Sequence, residues 1–311
     1  MPATATSKIM SAITTIANPL SSSHDKVMIF WSNKFANLGL ENRQIGGDIN
    51  PYALNYEEKD NKSPTINYPS QMASMLYKDA VCVFGITGDK IENLELALLS
   101  PVYKPEKRIK PVYGSLAGCV DSKGTGYLYF FANDLTPKRT LFELTLSNEE
   151  PDQKPIVGKL LFHEFTNLFA FYDAPLKQRF LVYQMDDKTI SIWSFKHKRD
   201  NVITDSIYRA KAETPVTACV VPADPATNRP ARVYIYFYDD DNILQGANCI
   251  LGDSLYFTTN DEKPSTVGDG HKISTASQLS VFPDPIGKRN IIYGMKTANA
   301  IVAIYDDWRP T

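Results

Sequence analysis

Apolar and polar positions alternate in short bursts along this chain, and no stretch keeps the 3.6-residue period of a long amphipathic helix. Six segments open alike, with a bulky apolar residue, small residues and a second apolar one. They are Ile9-Met-Ser-Ala-Ile13, Met72-Ala-Ser-Met75, Leu116-Ala-Gly-Cys119, Leu168-Phe-Ala-Phe171, Val216-Thr-Ala-Cys219 and Leu279-Ser-Val-Phe282. With Met10 as the first anchor, the openings recur irregularly at about 50 residues, too unevenly for a solenoid.

Each opening leads through a turn into a second apolar run: Val27–Trp31, Val81–Phe84, Tyr127–Phe131, Phe180–Tyr183, Val233–Phe237 and Ile291–Tyr293. Turn formers follow several of them, as in Gly88-Asp89, Asp186-Asp187 and Asp239-Asp240-Asp241. A third run is visible in Ile91–Leu94, Leu141–Leu144, Ile190–Trp193, Ile243–Gln245 and Ile301–Ile304, and a fourth in Leu160–Phe162 and Ser254–Phe257. Four short antiparallel strands repeated six times predict an all-β fold, a single six-bladed β-propeller over residues 1–311. Stacked blades bury both faces of their inner strands, which explains openings that are continuously apolar. The sixth unit ends early, so Ala3–Ser7 is expected to complete it and close the ring.

Composition supports strands: the chain is 43% hydrophobic and 11% aromatic. A net charge of -2 supplies no basic field for a nucleic-acid backbone. No apolar run is long enough to span a bilayer, so neither nucleic acid nor membrane is an expected partner. Cys82, Cys119, Cys219 and Cys249 form no CxxC pair, and His24, His163, His197 and His271 lack metal-ligand spacing. Reduced thiols fit a cytoplasmic location, and no cofactor or metal is expected.

Candidate chemistry gathers where the inner strands end. Five residues after the anchors lie Thr15, Tyr77, Asp121, Asp173, Val221 and Asp284. Antiparallel pairing puts Arg179, Arg232 and Arg289, which open second runs, at the same end, beside Tyr172. Such groups suit a polar rim over an apolar ligand cleft. They suit equally well a surface of turn-forming aspartates and ion pairs.

At Arg232-Val-Tyr the chain resembles the fungal fucose-specific lectins, which are six-bladed propellers. The resemblance implies sugar sites made of an Arg opening a second strand, a Glu in a third strand and an aromatic ring from the neighbouring blade. Arg179, Arg232 and Arg289 match the Arg, but their units carry Ile192, Gln245 and Ala303 at the Glu position. The third unit has the acid, Glu143, without an Arg of its own, and the second has Asn93. Arg232 with Gln245 is the best remaining sugar site on this count.

Lectin-like propellers also have counterparts in fungal secondary metabolism. With the sugar pairs lost, that resemblance implies a cofactor-free enzyme acting on an apolar polyketide or terpenoid, such as a hetero-Diels–Alder pericyclase. Its donors would be Tyr77, Tyr172, Arg179 and Arg232, oriented by Asp121, Asp173 and Asp284. The alternatives are a lectin for fucosylated glycans and a protein-interaction propeller; a homodimer is compatible with each.

Overall fold

The computed structural model describes residues 11–23, 25–45, 55–57, 65–106, 109–133, 139–146, 152–156, 162–163, 165–204, 209–251, 264–268, 273–297 and 300–308. Blade one comprises β1 (Ile13–Ala17), β2 (Lys26–Ser32), β3 (Leu38–Gln44) and β4 (Asn55–Glu57). Blade two comprises β5 (Met72–Tyr77), β6 (Ala80–Thr87), β7 (Glu95–Ser100) and β8 (Lys104–Glu106). Blade three has β9 (Pro111–Val120), β10 (Gly126–Asn133), β11 (Arg139–Leu146) and β12 (Asp152–Pro155). Blade four has β13 (Phe169–Asp173), β14 (Gln178–Gln184), β15 (Ile190–Ser194) and β16 (Arg199–Val202). Blade five has β17 (Thr217–Val221), β18 (Arg232–Tyr238), β19 (Leu244–Ile250) and β20 (Ser265–Thr266). Blade six has β21 (Ser280–Asp284), β22 (Arg289–Thr297) and β23 (Ala300–Asp307).

Every sheet is antiparallel with its strands in chain order. The first strand of each blade packs on that of the next, and β1 closes on β21, so these six strands ring one axis. The fold is the expected all-β six-bladed propeller. Among the described residues blade six has three strands. Ala3–Ser7, expected to complete it, lies outside the described residues. So do Ser254–Phe257 and the first two residues of the expected strand at 160–162.

Three details differ from the expectation. Ile91–Asn93 is a 3-10 turn, and the third strand of blade two starts at Glu95. Gly88 explains the shift: its φ of +116° lets the chain fold back so tightly that a Cβ there would meet the Asn93 carbonyl oxygen at 2.5 Å. Phe162 bridges to Met185 of blade four, while β12 is the fourth strand of blade three. In blade one the anchor is Ile13, opposite Trp31, as Leu168 would face Tyr183 one step beyond the Phe169–Val182 pair. The strand-end equivalent of Asp173 is then Asn18, and Thr15 sits mid-strand, its hydroxyl 2.8 Å from that of Ser280.

Alternating side chains of the second strand of each blade join the apolar clusters on either side of it. In β18, Val233, Ile235 and Phe237 pack towards blade four, while Tyr234, Tyr236 and Tyr238 pack towards blade six. Burying each such side chain contributes about 1.5–3 kcal/mol, which makes the blade interfaces the core. Nearer the axis, buried amides stitch the ring. Gln71 Oε1 accepts from the backbone N–H of Leu116 (3.3 Å) and of Leu168 (2.9 Å), tying blade two to blades three and four. Gln278 Oε1 does the same for Ile13 (3.1 Å) and Met72 (2.9 Å), tying blade six to blades one and two. Asn167, one methylene shorter, donates to the carbonyls of Glu213 and Thr214 and reaches blade five alone.

Candidate functional site

The pleat decides which residues meet between blades three and four. In β11, Phe142 and Leu144 join the cluster with blade two, whereas Leu141 faces blade four. Glu143 shares the parity of Leu141 and so points at blade four. In β14, Leu181 and Tyr183 pack against blade three, and Arg179 shares their parity. The two meet across the interface, with Arg179 Nη1 2.6 Å from Glu143 Oε2. The acid without an Arg in its own unit has one from the next blade.

Around this pair the chemistry is dense. Arg179 Nη1 also donates to Tyr129 Oη at 2.9 Å. Its guanidinium lies over the Tyr127 ring at 3.7 Å and the Phe195 ring at 4.8 Å. Burial holds the Tyr129 phenol well above its ordinary range, so it stays a neutral hydroxyl. The Glu143 side chain is 3% exposed, and its Oε1 is buried without a hydrogen bond. Lys154 Nζ, on a mostly exposed side chain, covers that oxygen at 3.3 Å without hydrogen-bond geometry. A cavity of about 330 Å³ opens here, lined by Glu143, Arg179, Trp193, Phe195, Lys154 and Lys198, with Pro155 and Ile156.

Of the other expected site residues, two belong to this interface. Asp121 Oδ2 accepts from the hydroxyl of Tyr127 at 3.2 Å, and Tyr127 is the ring beneath Arg179. Asp121 Oδ1 takes the backbone N–H of Lys123 and Thr125, both at 2.9 Å. Burial pushes the Asp121 carboxyl up, but these backbone donors, the Tyr127 hydroxyl and the Arg179 charge together hold it below the ordinary range. Tyr172 Oη sits 2.9 Å from Ser122 Oγ, on the turn that Asp121 caps.

The remaining expected residues are elsewhere on the ring. Tyr77 donates to the Leu146 carbonyl at 3.1 Å. Asp173 is buried and accepts from the Leu176 N–H at 2.8 Å. Asp284 accepts from the N–H of Ile286 and Gly287 and from Arg289 Nε at 3.2 Å. Asp121, Asp173 and Asp284 therefore cap turns, the second of the two roles their spacing allows. Val221 ends β17 inside the core.

Register corrects the arginine alignment. Arg232 pairs with Val221 and Arg289 with Asp284, but Arg179 pairs with Tyr172, one step along. Arg179 thus faces the preceding blade and the other two the following one. Arg232 donates to Asn248 Oδ1 of its own blade. Gln245 lies at the far end of β19, where its amide donates to Asp239 Oδ2 at 2.6 Å. Arg232 and Gln245 do not form one site. Gln245 instead lines a second cavity, of about 450 Å³, with Arg209, Phe237 and Asp239 to Asp241, on the opposite face.

By the same register, the Glu143 position holds Leu40, Leu98, Ile192, Gly246 and Ala303 in the other blades, with Leu98 and Gly246 replacing Asn93 and Gln245. The residues matching Arg179 are Val27, Val81, Gly126, Val233 and Asn290. Glu143 with Arg179 is the one charged pair at these positions. Sequence reasoning missed Trp193 and Phe195 as walls of its cavity and Tyr129 as a hydrogen-bond partner of Arg179. The available signal was Glu143 itself, an acid inside an apolar strand. A further buried pair, Arg43 Nη2 to Glu41 Oε1 at 2.7 Å, lies within one strand.

No family model matches the chain. Two wall-associated proteinases are similar to it: that of Coccidioides immitis (strain RS), 24% identical over 252 residues, and that of Coccidioides posadasii, 22% over 251. Each alignment covers 78% of this chain and 78% of the relative. Among solved structures, AofleA from Arthrobotrys oligospora superposes with a TM-score of 0.66 at 12% identity, over 97% of this chain and 85% of that one. The SapL1 lectin in complex with α-methyl fucoside gives 0.61 at 11% identity, covering 97% of both chains. The fungal lectin of Aleuria aurantia, a six-bladed β-propeller, gives 0.59 at 11%, over 98% of this chain and 97% of that one. What this chain shares with these lectins is their six-bladed propeller fold.

Proposed function

We propose that the protein binds a carbohydrate of the fucose type in the pocket between blades three and four. The observation that carries this reading is the Glu143 carboxylate, one oxygen on Arg179 and the other buried with no hydrogen bond, facing only the Lys154 ammonium at 3.3 Å. A buried acceptor left unmade costs about 1–3 kcal/mol, and a ligand hydroxyl is the donor that would satisfy it. Sugar hydroxyls donate and accept together, so they need an acid and a base side by side. Trp193 and Phe195 offer rings for the apolar face of a pyranose. The SapL1 structure contains α-methyl fucoside, which makes that sugar the first to test.

A cofactor-free pericyclase has no comparable support. An apolar diene has no donor for Glu143 Oε1, and the carboxylate competes for the guanidinium that would act on the reacting heteroatom. The relatives are named proteinases. Among the described residues, neither the His163 nor the His197 imidazole is hydrogen-bonded to a nucleophile or carboxylate, and no cluster could hold a metal ion.

Calorimetric titration with α-methyl fucoside, with a glycan array for other sugars, tests the reading. Binding by the native protein and its loss in Glu143→Gln and Arg179→Ala are expected. Binding that survives both substitutions, or no glycan bound at all, rejects it.

A further inference from the structure

The net charge of -2 conceals two unlike faces. On the face where the inner strands end, the turns into the second strands expose Lys26, Lys78, Lys123, Lys177 and Lys288, with Asp79 exposed beside them and Asp25 and Asp224 half-buried. The described turns on the opposite face expose mostly acids, including Asp186, Asp187, Asp240 and Asp241. Charge is thus separated along the propeller axis.

Backbone geometry bears on why lysine stands there. Lys177 and Lys288 occupy the same turn position, immediately before the second strand, with φ of 49° and 50°; in blade two that position is Asp79, at 61°, and Lys78 before it has 51°. Asn228 fills it in blade five at 55°, and Gly124 is left-handed in the corresponding turn of blade three. Left-handed backbone favours Gly and Asn and costs a lysine about 1 kcal/mol.

Apolar side chains project from the same face. Leu20 is 92% exposed and Ile286 83%, at the tips of blades one and six, whose inner strands pack side by side. Leu76, half exposed, follows in blade two. A soluble polyanion would use the lysines but has no place for aliphatic tips. A bilayer with anionic headgroups uses both, since basic groups stay at the phosphate level while short apolar side chains enter the interface.

We propose that this face docks on an anionic lipid bilayer, with Leu20 and Ile286 entering the headgroup region inside a ring of lysines. Such peripheral binding needs no membrane-crossing helix, and no helix of the described residues is long and apolar enough to be one. It stands independently of the sugar pocket.

The test is flotation of the full chain with phosphatidylcholine vesicles, alone or mixed with phosphatidylserine, at low and high salt. Binding is expected to the mixed vesicles only and to weaken with salt. Each lysine contributes about 1 kcal/mol near such a surface, so Lys177→Glu and Lys288→Glu should each weaken binding about fivefold or more. Leu20→Ser with Ile286→Ser should weaken it about tenfold. All four positions are exposed, so unchanged melting curves are the control. Equal binding to both vesicle types, or to neither, overturns the proposal. Binding to dextran sulfate as tight as to vesicles, with the two serine substitutions without effect, overturns it in favour of a soluble polyanion.

Discussion

Ile192 and Val233 lie in one apolar cluster between blades four and five, at the positions that Glu143 and Arg179 fill between blades three and four. The correspondence follows from register: Glu143 is opposite Tyr129 and Ile192 opposite Val182, while Arg179 is opposite Tyr172 and Val233 opposite Val220. One fold thus accepts an ion pair or two aliphatic residues at the same place. The ion pair is not needed to close a blade interface, so its presence at one of six calls for another reason.

That relationship gives the first prediction. Glu143→Ala alone leaves Arg179 partly buried without its counter-ion and should cost about 2 kcal/mol, reduced from the buried-pair range because Arg179 is 20% exposed. The double substitution Glu143→Ile with Arg179→Val copies blades four and five. It should restore most of that stability while abolishing sugar binding. Urea unfolding beside calorimetric titration separates the two effects; a double variant less stable than either single one contradicts the equivalence.

The amide stitches give the second. Gln278→Ala removes the acceptor for the N–H groups of Ile13 and Met72 and the donor to the Met72 carbonyl. At about 1–3 kcal/mol per buried orphan, with water entering part of the space, a loss of about 3 kcal/mol is expected. The denaturant midpoint measures it. A loss below that of an ordinary surface substitution shows that the ring closes without the stitch.

The propeller was legible because every blade repeats the same apolar opening, and a misplaced anchor such as Met10 for Ile13 does not change the count. The pocket was less legible for a geometric reason. Its acid and its base belong to different repeats, so comparing positions within a repeat separates Glu143 from Arg179. A one-residue difference in register also turns Arg179 to the opposite blade face from Arg232 and Arg289, and nothing in residue spacing reports that. The aspartates at the strand ends were visible, but only hydrogen bonds to the following N–H groups distinguish turn caps from ligand groups.

Asp173 gives a pH-dependent prediction. Burial raises its carboxyl above the ordinary value, opposed by the Leu176 N–H. The folded state therefore holds the proton more tightly than the unfolded chain, and stability falls as pH rises from the ordinary carboxylate value through the raised one. Asp173→Asn keeps an acceptor for Leu176 and removes the charge. It should be more stable than the native protein at neutral pH, with the advantage vanishing in acid. Urea unfolding at several pH values checks this; an advantage constant with pH excludes Asp173 as the titrating group.

Gly114 tests how closely the chain packs at the entry to blade three. A Cβ there would stand 2.1 Å from the Pro69 carbonyl oxygen and 2.6 Å from the Ser70 Cα, both backbone atoms that cannot rotate away. The Gly114 carbonyl also accepts from the Gln71 N–H at 2.7 Å, so moving this segment disturbs the residue that stitches blades two, three and four. Gly114→Ala should therefore cost about 2–3 kcal/mol, the upper part of the range for overpacking. Gly118→Ala meets mainly the end of the Met75 side chain, at 2.4 Å, and Leu128 Cδ2, at 2.8 Å, which can shift, so its cost should be smaller. Denaturant unfolding of the two variants side by side gives the order. Equal losses, or a larger one at Gly118, show that backbone contact at Gly114 does not limit the packing.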